Sequence, residues 1–145
     1  MLTSAELTKR FPYAHHHADY CLVTWHPDGV LDNERADRAV DFMELAEKLE
    51  GKSFNRYIEM TGYSGMQIDP HHIVRLARRR RRYRGPRVKS AFYAERLISL
   101  TIARMYQELM EGSRLEVCIF RDRAAAAEWL GVPENILHQR KAQAK

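Results

Sequence analysis

The chain has 145 residues, the size of one ordinary domain, and its side chains are 45% hydrophobic and 30% charged. These fractions are typical of soluble globular proteins and exclude an intrinsically disordered chain. No apolar run approaches the roughly 18 to 20 residues that a membrane-spanning helix needs, and residues 1–13 lack the apolar segment of a signal peptide. We therefore expect a single folded domain in the cytoplasm.

The excess of positive charge is concentrated in one segment. The chain carries 24 Lys and Arg against 19 Asp and Glu, a formal net charge of +5. Arg75–Lys89 holds nine basic side chains and no acidic one, so the remaining sequence has 15 basic and 19 acidic residues, a net charge of −4. The basic character is therefore a local patch and not a property of the whole molecule.

Turn residues and hydrophobic periodicity predict strands and helices in alternation. β-Branched and aromatic runs predict strands over Tyr20–His26, Arg56–Met60, Arg87–Tyr93 and Leu115–Phe120. Apolar residues at three- and four-residue steps predict helices over Asn33–Glu50, from Pro70 to the Gly85-Pro86 break, near Glu95–Glu111 and over Ala124–Leu130. Such alternation indicates an α/β fold, with a mostly parallel sheet of four to five strands covered by helices.

Capping residues support the helix boundaries. Asp32 or Asn33 can cap the first helix, which Gly51 is expected to end. Asp69 is expected to cap the second helix, because it directly precedes Pro70 in the order that favours a helix start.

Three segments complete the expected organisation. Residues 1–18 read as a polar leader, residues 19–132 as the α/β domain, and residues 133–145 as a polar basic tail that is frayed from Glu134. Gly29–Leu31 is expected to form a short antiparallel partner of the first strand at the edge of the sheet.

The cysteines predict no metal knuckle, redox pair or disulfide. Cys21 and Cys118 lie far apart in apolar, β-rich runs, and a reducing compartment gives them no reason to pair. We expect both to be buried, core-facing free thiols.

The arginine run Arg78–Arg82 admits two interpretations. Five successive helical positions point all round a helix, so the run favours a helix end that is solvated or paired with acidic residues. The alternative is an anion or nucleic-acid site. Its candidate residues are Arg78, Arg79, Arg82 and Arg84.

Other candidate chemistry is weak. The His15-His16-His17 and Asp69-His71-His72 clusters lack the spacing of metal ligands on one helix face, and no Gly-rich phosphate loop is present, so we expect no cofactor and no metal. Ser64 lacks the second glycine of a nucleophile elbow and reads as a turn residue. Glu59 can be a buried acid, but one carboxylate makes no acid–base pair.

The order of elements and several short motifs resemble a known superfamily. Gly29-Val30-Leu31-Asp32 and the helix that follows, Val88-Lys89-Ser90-Ala91-Phe92, and Phe120-Arg121-Asp122 through Gly131 are similar to the strand–helix units of STAS domains. The chain resembles the SpoIIAA-like/STAS superfamily, specifically its small STAS/Sec14-type members, over residues 20–132.

This resemblance implies an α/β domain that works through contacts and not through chemistry. Anti-sigma-factor antagonists of the superfamily bind a kinase partner, and Sec14 relatives bind lipids. In the antagonists a phosphorylated Ser or Thr follows an aspartate at the start of the second helix. Here Asp69 is followed by Pro70, His71 and His72, so the hydroxyl of that phosphorylation switch is missing.

The predicted binding surface is the loop after the second strand and the helix start behind it. Ligands of open α/β sheets gather beyond the carboxyl ends of parallel strands, and this loop follows such an end. Its glycines allow close approach, and its tyrosine and methionine offer contact area. The candidate residues are Thr61, Gly62, Tyr63, Ser64, Gly65, Met66, Asp69 and His71.

The predicted function is that of a non-enzymatic domain that binds a protein partner or a small apolar, lipid-like or anionic ligand. The alternative is a nucleic-acid or anionic-membrane accessory protein that uses Arg75–Lys89. Nucleic acid is the less favoured partner, because no recognised nucleic-acid motif accompanies the arginines. A homodimer is left open.

Overall fold

The computed structural model describes residues 6, 9–50 and 53–138. Its strands are β1 (Ala14–His17), β2 (Leu22–Trp25), β3 (Gly29–Asp32), β4 (Asn55–Glu59), β5 (Tyr63–Gln67), β6 (Val88–Tyr93) and β7 (Leu115–Phe120). Its helices are α1 (Asn33–Glu50), α2 (Pro70–Arg80), α3 (Leu97–Leu109) and α4 (Arg123–Leu130). The predicted α/β class is confirmed. Gly51, the expected end of the first helix, lies outside the described residues.

The main sheet is mostly parallel, as predicted. Within the described part of the chain it holds five strands in the order β1-β2-β4-β6-β7. The last four of these run parallel in the order of the chain, and β1 pairs antiparallel with β2. Right-handed crossovers that step in one direction place their helices on one face of a sheet.

Different helices pack on the two faces of the main sheet. On one face Val23 and Trp25 pack against α1, while Ile58 and Phe92 pack with Leu76 of α2 and Ala103 of α3. The opposite face is covered by α4 and by the 3₁₀ turn Glu134–Leu137, which bury side chains such as Leu22, Tyr57 and Ala91. Helices α1–α3 therefore cover one face and α4 covers the other.

The sequence predicts that Gly29–Leu31 forms the antiparallel edge strand. This prediction is wrong, because that segment pairs in parallel with β5. Residues 14–17, assigned to the polar leader, form the edge strand β1, and Ala14 is buried against Val23 and Trp25. The leader is thus partly structural, because Phe11 and Tyr13 also pack against this core cluster.

The expected loop after β4 is a strand. β5 pairs in parallel with β3, and the two form a separate small sheet among the described residues. β2 and β4 are neighbours, so the segments that continue from their carboxyl ends, β3 and β5, are brought side by side. A Cβ at Gly62 would lie 2.1 Å from the carbonyl oxygen of Pro27, so this close approach requires glycine.

The prediction for Cys21 is wrong. Cys21 precedes β2, ends the 3₁₀ turn Ala18–Tyr20 with a φ of 49°, and is exposed. The apolar run that contains it starts its strand one residue later, at Leu22. Cys118 lies on β7 and is half-buried, and both thiols are free.

The start of α2 agrees with the capping residues that the sequence contains. Asp69 accepts a hydrogen bond from the His71 backbone N–H at 3.1 Å, and Pro70 is the first residue of α2. α2 ends at Arg80, five residues before the predicted Gly85-Pro86 break. None of the helices that the structure describes is long and apolar enough to cross a membrane.

The tail is not frayed from Glu134 onwards. The 3₁₀ turn Glu134–Leu137 packs on the sheet, Leu137 is fully buried, and its carbonyl accepts a hydrogen bond from His26 at 2.8 Å. The remainder of the predicted basic tail, residues 139–145, lies outside the described residues.

Candidate functional site

An apolar cavity of about 150 Å³ lies between the sheet and the three helices on its first face. The sheet contributes Trp25, Ile58 and Phe92, and most of the remaining surface comes from α1, α2 and α3. Small side chains stand where larger ones would fill this space, among them Ala36 and Ala103. Cores normally pack without voids larger than a water molecule, so a cavity of this size is a specific feature of this fold.

One wall of the cavity is built around the small β3–β5 sheet, and Tyr63 is the one predicted binding residue that lines it. Met60, Tyr63 and Ile68 line it, together with Leu31 from β3. Tyr63 is buried, and burial raises the pKa of its hydroxyl to about 12, an effect that the neighbouring Trp25 indole opposes. The small β3–β5 sheet thus closes the cavity at the carboxyl end of β2 and β4.

The predicted binding residues do not form one exposed surface. Thr61, Ser64, Asp69 and His71 are exposed, whereas Tyr63 is buried and Met66 is half-buried against the core. Asp69 acts as a helix cap. The expectation that Tyr63 offers contact area on a loop is therefore wrong, and its replacement by serine would cost stability.

A polar network lines the end of the cavity beneath α2. Arg56, Arg80, Ser90 and Tyr106 contribute to the wall there. Glu47 of α1 accepts hydrogen bonds from both guanidinium groups, with 2.6 Å between its Oε2 and Nη2 of Arg56. Burial lowers the pKa of Arg56, while Glu47 outweighs the effect of burial at Arg80 and raises the pKa of that group.

The arginine run is largely an acid-paired helix end, the first of its two interpretations. Arg79 binds Glu44 and Asp41 through contacts of 2.7 Å, and Arg80 binds Glu47. Arg81 donates to the backbone carbonyls of Leu109 and Glu111 at the end of α3, at 3.1 and 2.9 Å.

The remaining arginines of the alternative anion site, Arg78, Arg82 and Arg84, are exposed. Arg79, the fourth candidate, is occupied by its two carboxylates. Among the described residues the network is balanced in charge, because Arg56, Arg79 and Arg80 face Asp41, Glu44 and Glu47.

A second polar cluster lies on the other face of the sheet. Glu59 accepts hydrogen bonds from Tyr57, from Thr61 and twice from Arg123, at 3.0 and 2.9 Å for the arginine. Burial opposes ionisation of Glu59, but these donors outweigh it and lower its pKa. The predicted buried acid exists, and it holds α4 to the sheet.

The Glu59 carboxylate has no free acceptor position in the described part of the chain. Its four donors take up the hydrogen-bonding capacity of Glu59 and favour its ionised form. Within residues 6, 9–50 and 53–138, no group of three or more His, Cys, Asp or Glu side chains is arranged to hold a metal ion.

Comparison of the chain with protein-family models, with curated proteins and with solved structures finds no match. The resemblance to STAS domains therefore stays a prediction.

Proposed function

We propose that the protein is a non-enzymatic, STAS-like domain of the cytoplasm that binds a small apolar ligand in the cavity between the sheet and α1–α3. The cavity itself carries this proposal: its volume is about 150 Å³ and its wall is formed mainly by apolar side chains. Cavities of about this size in a protein core accept ligands such as benzene or xenon. The ligand is accordingly a group of about six carbon atoms.

The expected affinity is modest. Burying one methylene contributes about 0.8 kcal/mol, so a chain of five methylenes contributes about 4 kcal/mol before the losses of freedom on binding. Without those losses the energy would correspond to a dissociation constant of about 1 mM, so the burial of this chain alone gives weaker binding than that. Additional contacts at the wall would be needed for tighter binding.

The function predicted from the sequence allowed either a protein partner or a small ligand, and we propose the small ligand. A protein partner is less favoured, because the side chains expected to contact it are turned inwards, as with Tyr63, or half-buried, as with Met66. The nucleic-acid or anionic-membrane alternative is less favoured too, because Arg79 and Arg80 are engaged by carboxylates of α1.

The experiment is a titration of ¹⁵N-labelled protein with hexan-1-ol, followed by amide chemical shifts. We expect saturable shifts in residues around the cavity. Ala103→Leu fills the cavity and should weaken binding at least tenfold, since Ala103 is 1% exposed and lines the wall. Ala124→Leu is the matched control, because Ala124 is exposed on α4 beyond the opposite face. Absence of saturable shifts, or equal weakening by both variants, would contradict the proposal.

A further inference from the structure

We propose that the ligand of the cavity is an amphiphile, and that its head group is a carboxylate held in a second pocket beside the cavity. This inference rests on the proposed function and names the class of ligand. The second pocket has a volume of about 50 Å³. Its lining includes Arg10, Arg35 and Arg38.

The pocket and the cavity share a wall. Trp25 and Tyr63 line both of them, so the two spaces adjoin at these side chains, and a ligand that fills both has to pass between them. One water molecule needs about 10 to 15 Å³ of such volume, so the pocket has room for a carboxylate. A short aliphatic acid matches both volumes.

Arg35 is held in place at the pocket. Its Nη1 donates to the carbonyl oxygens of Asp28 and Val30, at 2.7 and 3.2 Å, and its Nη2 donates to the Tyr13 hydroxyl at 2.7 Å. A Cβ at Gly29 would lie 2.3 Å from Nη1, so glycine leaves the space that this guanidinium occupies. A guanidinium fixed in this way has already lost its conformational entropy, so this loss does not oppose ligand binding.

The positive charge of the pocket is only partly compensated. Asp28 lies 3.6 Å from Arg35 and is 75% exposed. In the described part of the chain no carboxylate lies within ion-pair distance of Arg10 or Arg38. The arginines beneath α2 differ, because their charge is balanced by carboxylates of α1. An anionic head group is therefore expected at this pocket and not beneath α2.

A buried donor provides the second, independent observation. Trp25 is 5% exposed, and its indole Nε1–H lies close to the Tyr63 hydroxyl but makes no hydrogen bond of normal geometry among the described residues. A buried N–H without an acceptor costs about 1 to 3 kcal/mol, so such groups are rare in folded proteins. A carboxylate oxygen in the pocket that Trp25 lines would accept from it.

The test compares hexanoate, hexan-1-ol and acetate at pH 7.5, by amide shifts and by the indole Nε1–H signals. The sequence contains two tryptophans, so Trp129 on α4 is an internal reference. We expect hexanoate to bind at least tenfold more tightly than hexan-1-ol and to shift the Trp25 Nε1–H signal downfield. Hexan-1-ol should leave that signal nearly unchanged, and acetate alone should bind at least tenfold more weakly than hexanoate.

Two variants separate local from general charge effects. Arg38→Ala should reduce the preference for hexanoate over hexan-1-ol to less than threefold. Arg104→Ala removes the same charge from an exposed position on α3 and should leave the preference intact.

Three other results of these titrations would contradict the carboxylate inference, the proposed function or both. If hexan-1-ol binds and hexanoate binds no more tightly, the carboxylate inference is wrong while the proposed function stands. If acetate binds as tightly as hexanoate, the pocket is an anion site without an amphiphile, and the inference is overturned. If neither hexanoate nor hexan-1-ol binds, the proposed function and the inference both fail.

Discussion

At the scale of single residues, His26 shows how burial fixes a protonation state. Its Nε2 lies 2.8 Å from the Leu137 carbonyl, an arrangement that needs the proton on Nε2. Its Nδ1 is buried without a hydrogen-bond partner in the described part of the chain, and burial lowers the pKa of the ring. The neutral imidazole therefore links the end of β2 to the 3₁₀ turn that covers the second face.

This arrangement predicts a loss of stability in acid. The folded-state pKa of His26 lies below its ordinary value of 6.5, so the unfolded chain binds more protons as the pH falls below 6.5. The free energy of unfolding should fall until the pH reaches the folded-state pKa, and His26 should add no pH dependence above about pH 7.5.

The measurement is urea denaturation at a series of pH values from 5 to 8. His26→Gln keeps a donor for Leu137 without titrating, and it should flatten the decline between pH 6.5 and 5. His71→Gln changes an exposed histidine and should not. An equal pH dependence in the parent and in His26→Gln would refute the assignment.

Some single-residue roles were predictable and others were not. The cap at Asp69 needs only its neighbours along the chain, so the sequence predicts it correctly. The partner of Glu59 is Arg123, 64 residues away, and only the fold brings the two together. Cys21 lies in an apolar run of the sequence, which predicts burial. The 3₁₀ turn just before β2 leaves its side chain exposed.

At the scale of elements, local patterns predicted the α/β alternation and missed two strands. β5 contains two small polar or glycine residues, Ser64 and Gly65, and has little β propensity of its own. It is a strand because β3 lies beside it. β1 likewise consists largely of histidines and is ordered through its pairing with β2. Pairing between distant segments is the information that periodicity does not contain.

Neighbouring arginines on α2 provide a test of the contact between α1 and α2. The Arg80 side chain is 4% exposed and binds Glu47, whereas the Arg79 side chain is 32% exposed and binds Glu44 and Asp41. Removing one partner of a buried ion pair is far more costly than removing one at the surface. Arg80→Ala should lower the free energy of unfolding by about 3 kcal/mol, and Arg79→Ala by about 1 kcal/mol or less.

Urea denaturation of both variants at pH 7 measures this difference. The two changes remove the same side chain and the same charge from adjacent positions, so each is the control for the other. Equal losses, or a larger loss for Arg79→Ala, would show that the buried network beneath α2 does not stabilise the contact between α1 and α2.

At the scale of the whole molecule, the predicted binding residues and the cavity have one residue in common, Tyr63. The choice of residues 61–72 came from the rule that ligands lie beyond the carboxyl ends of parallel strands. That region does contribute to the cavity, through Tyr63 and Ile68. Tyr63 and Ile68 face the cavity, whereas Thr61, Ser64, Asp69 and His71 are exposed.

The cavity between the sheet and the helices could not be predicted from the sequence. Ala36 and Ala103 fit the apolar stripes of two different helices, and an alanine in a stripe indicates only burial. A space appears where small side chains from several elements face one another across a core. That coincidence depends on tertiary packing, which one sequence does not reveal.

The most direct test of the central claim is a crystal structure determined under xenon pressure. Xenon binds apolar cavities without needing a specific polar contact. We expect a xenon atom between the sheet and α1–α3, in contact with Ile58, Phe92 and Ala103, and we expect Ala103→Leu to abolish it. A core at this position that is closed to xenon would contradict a ligand-binding cavity there.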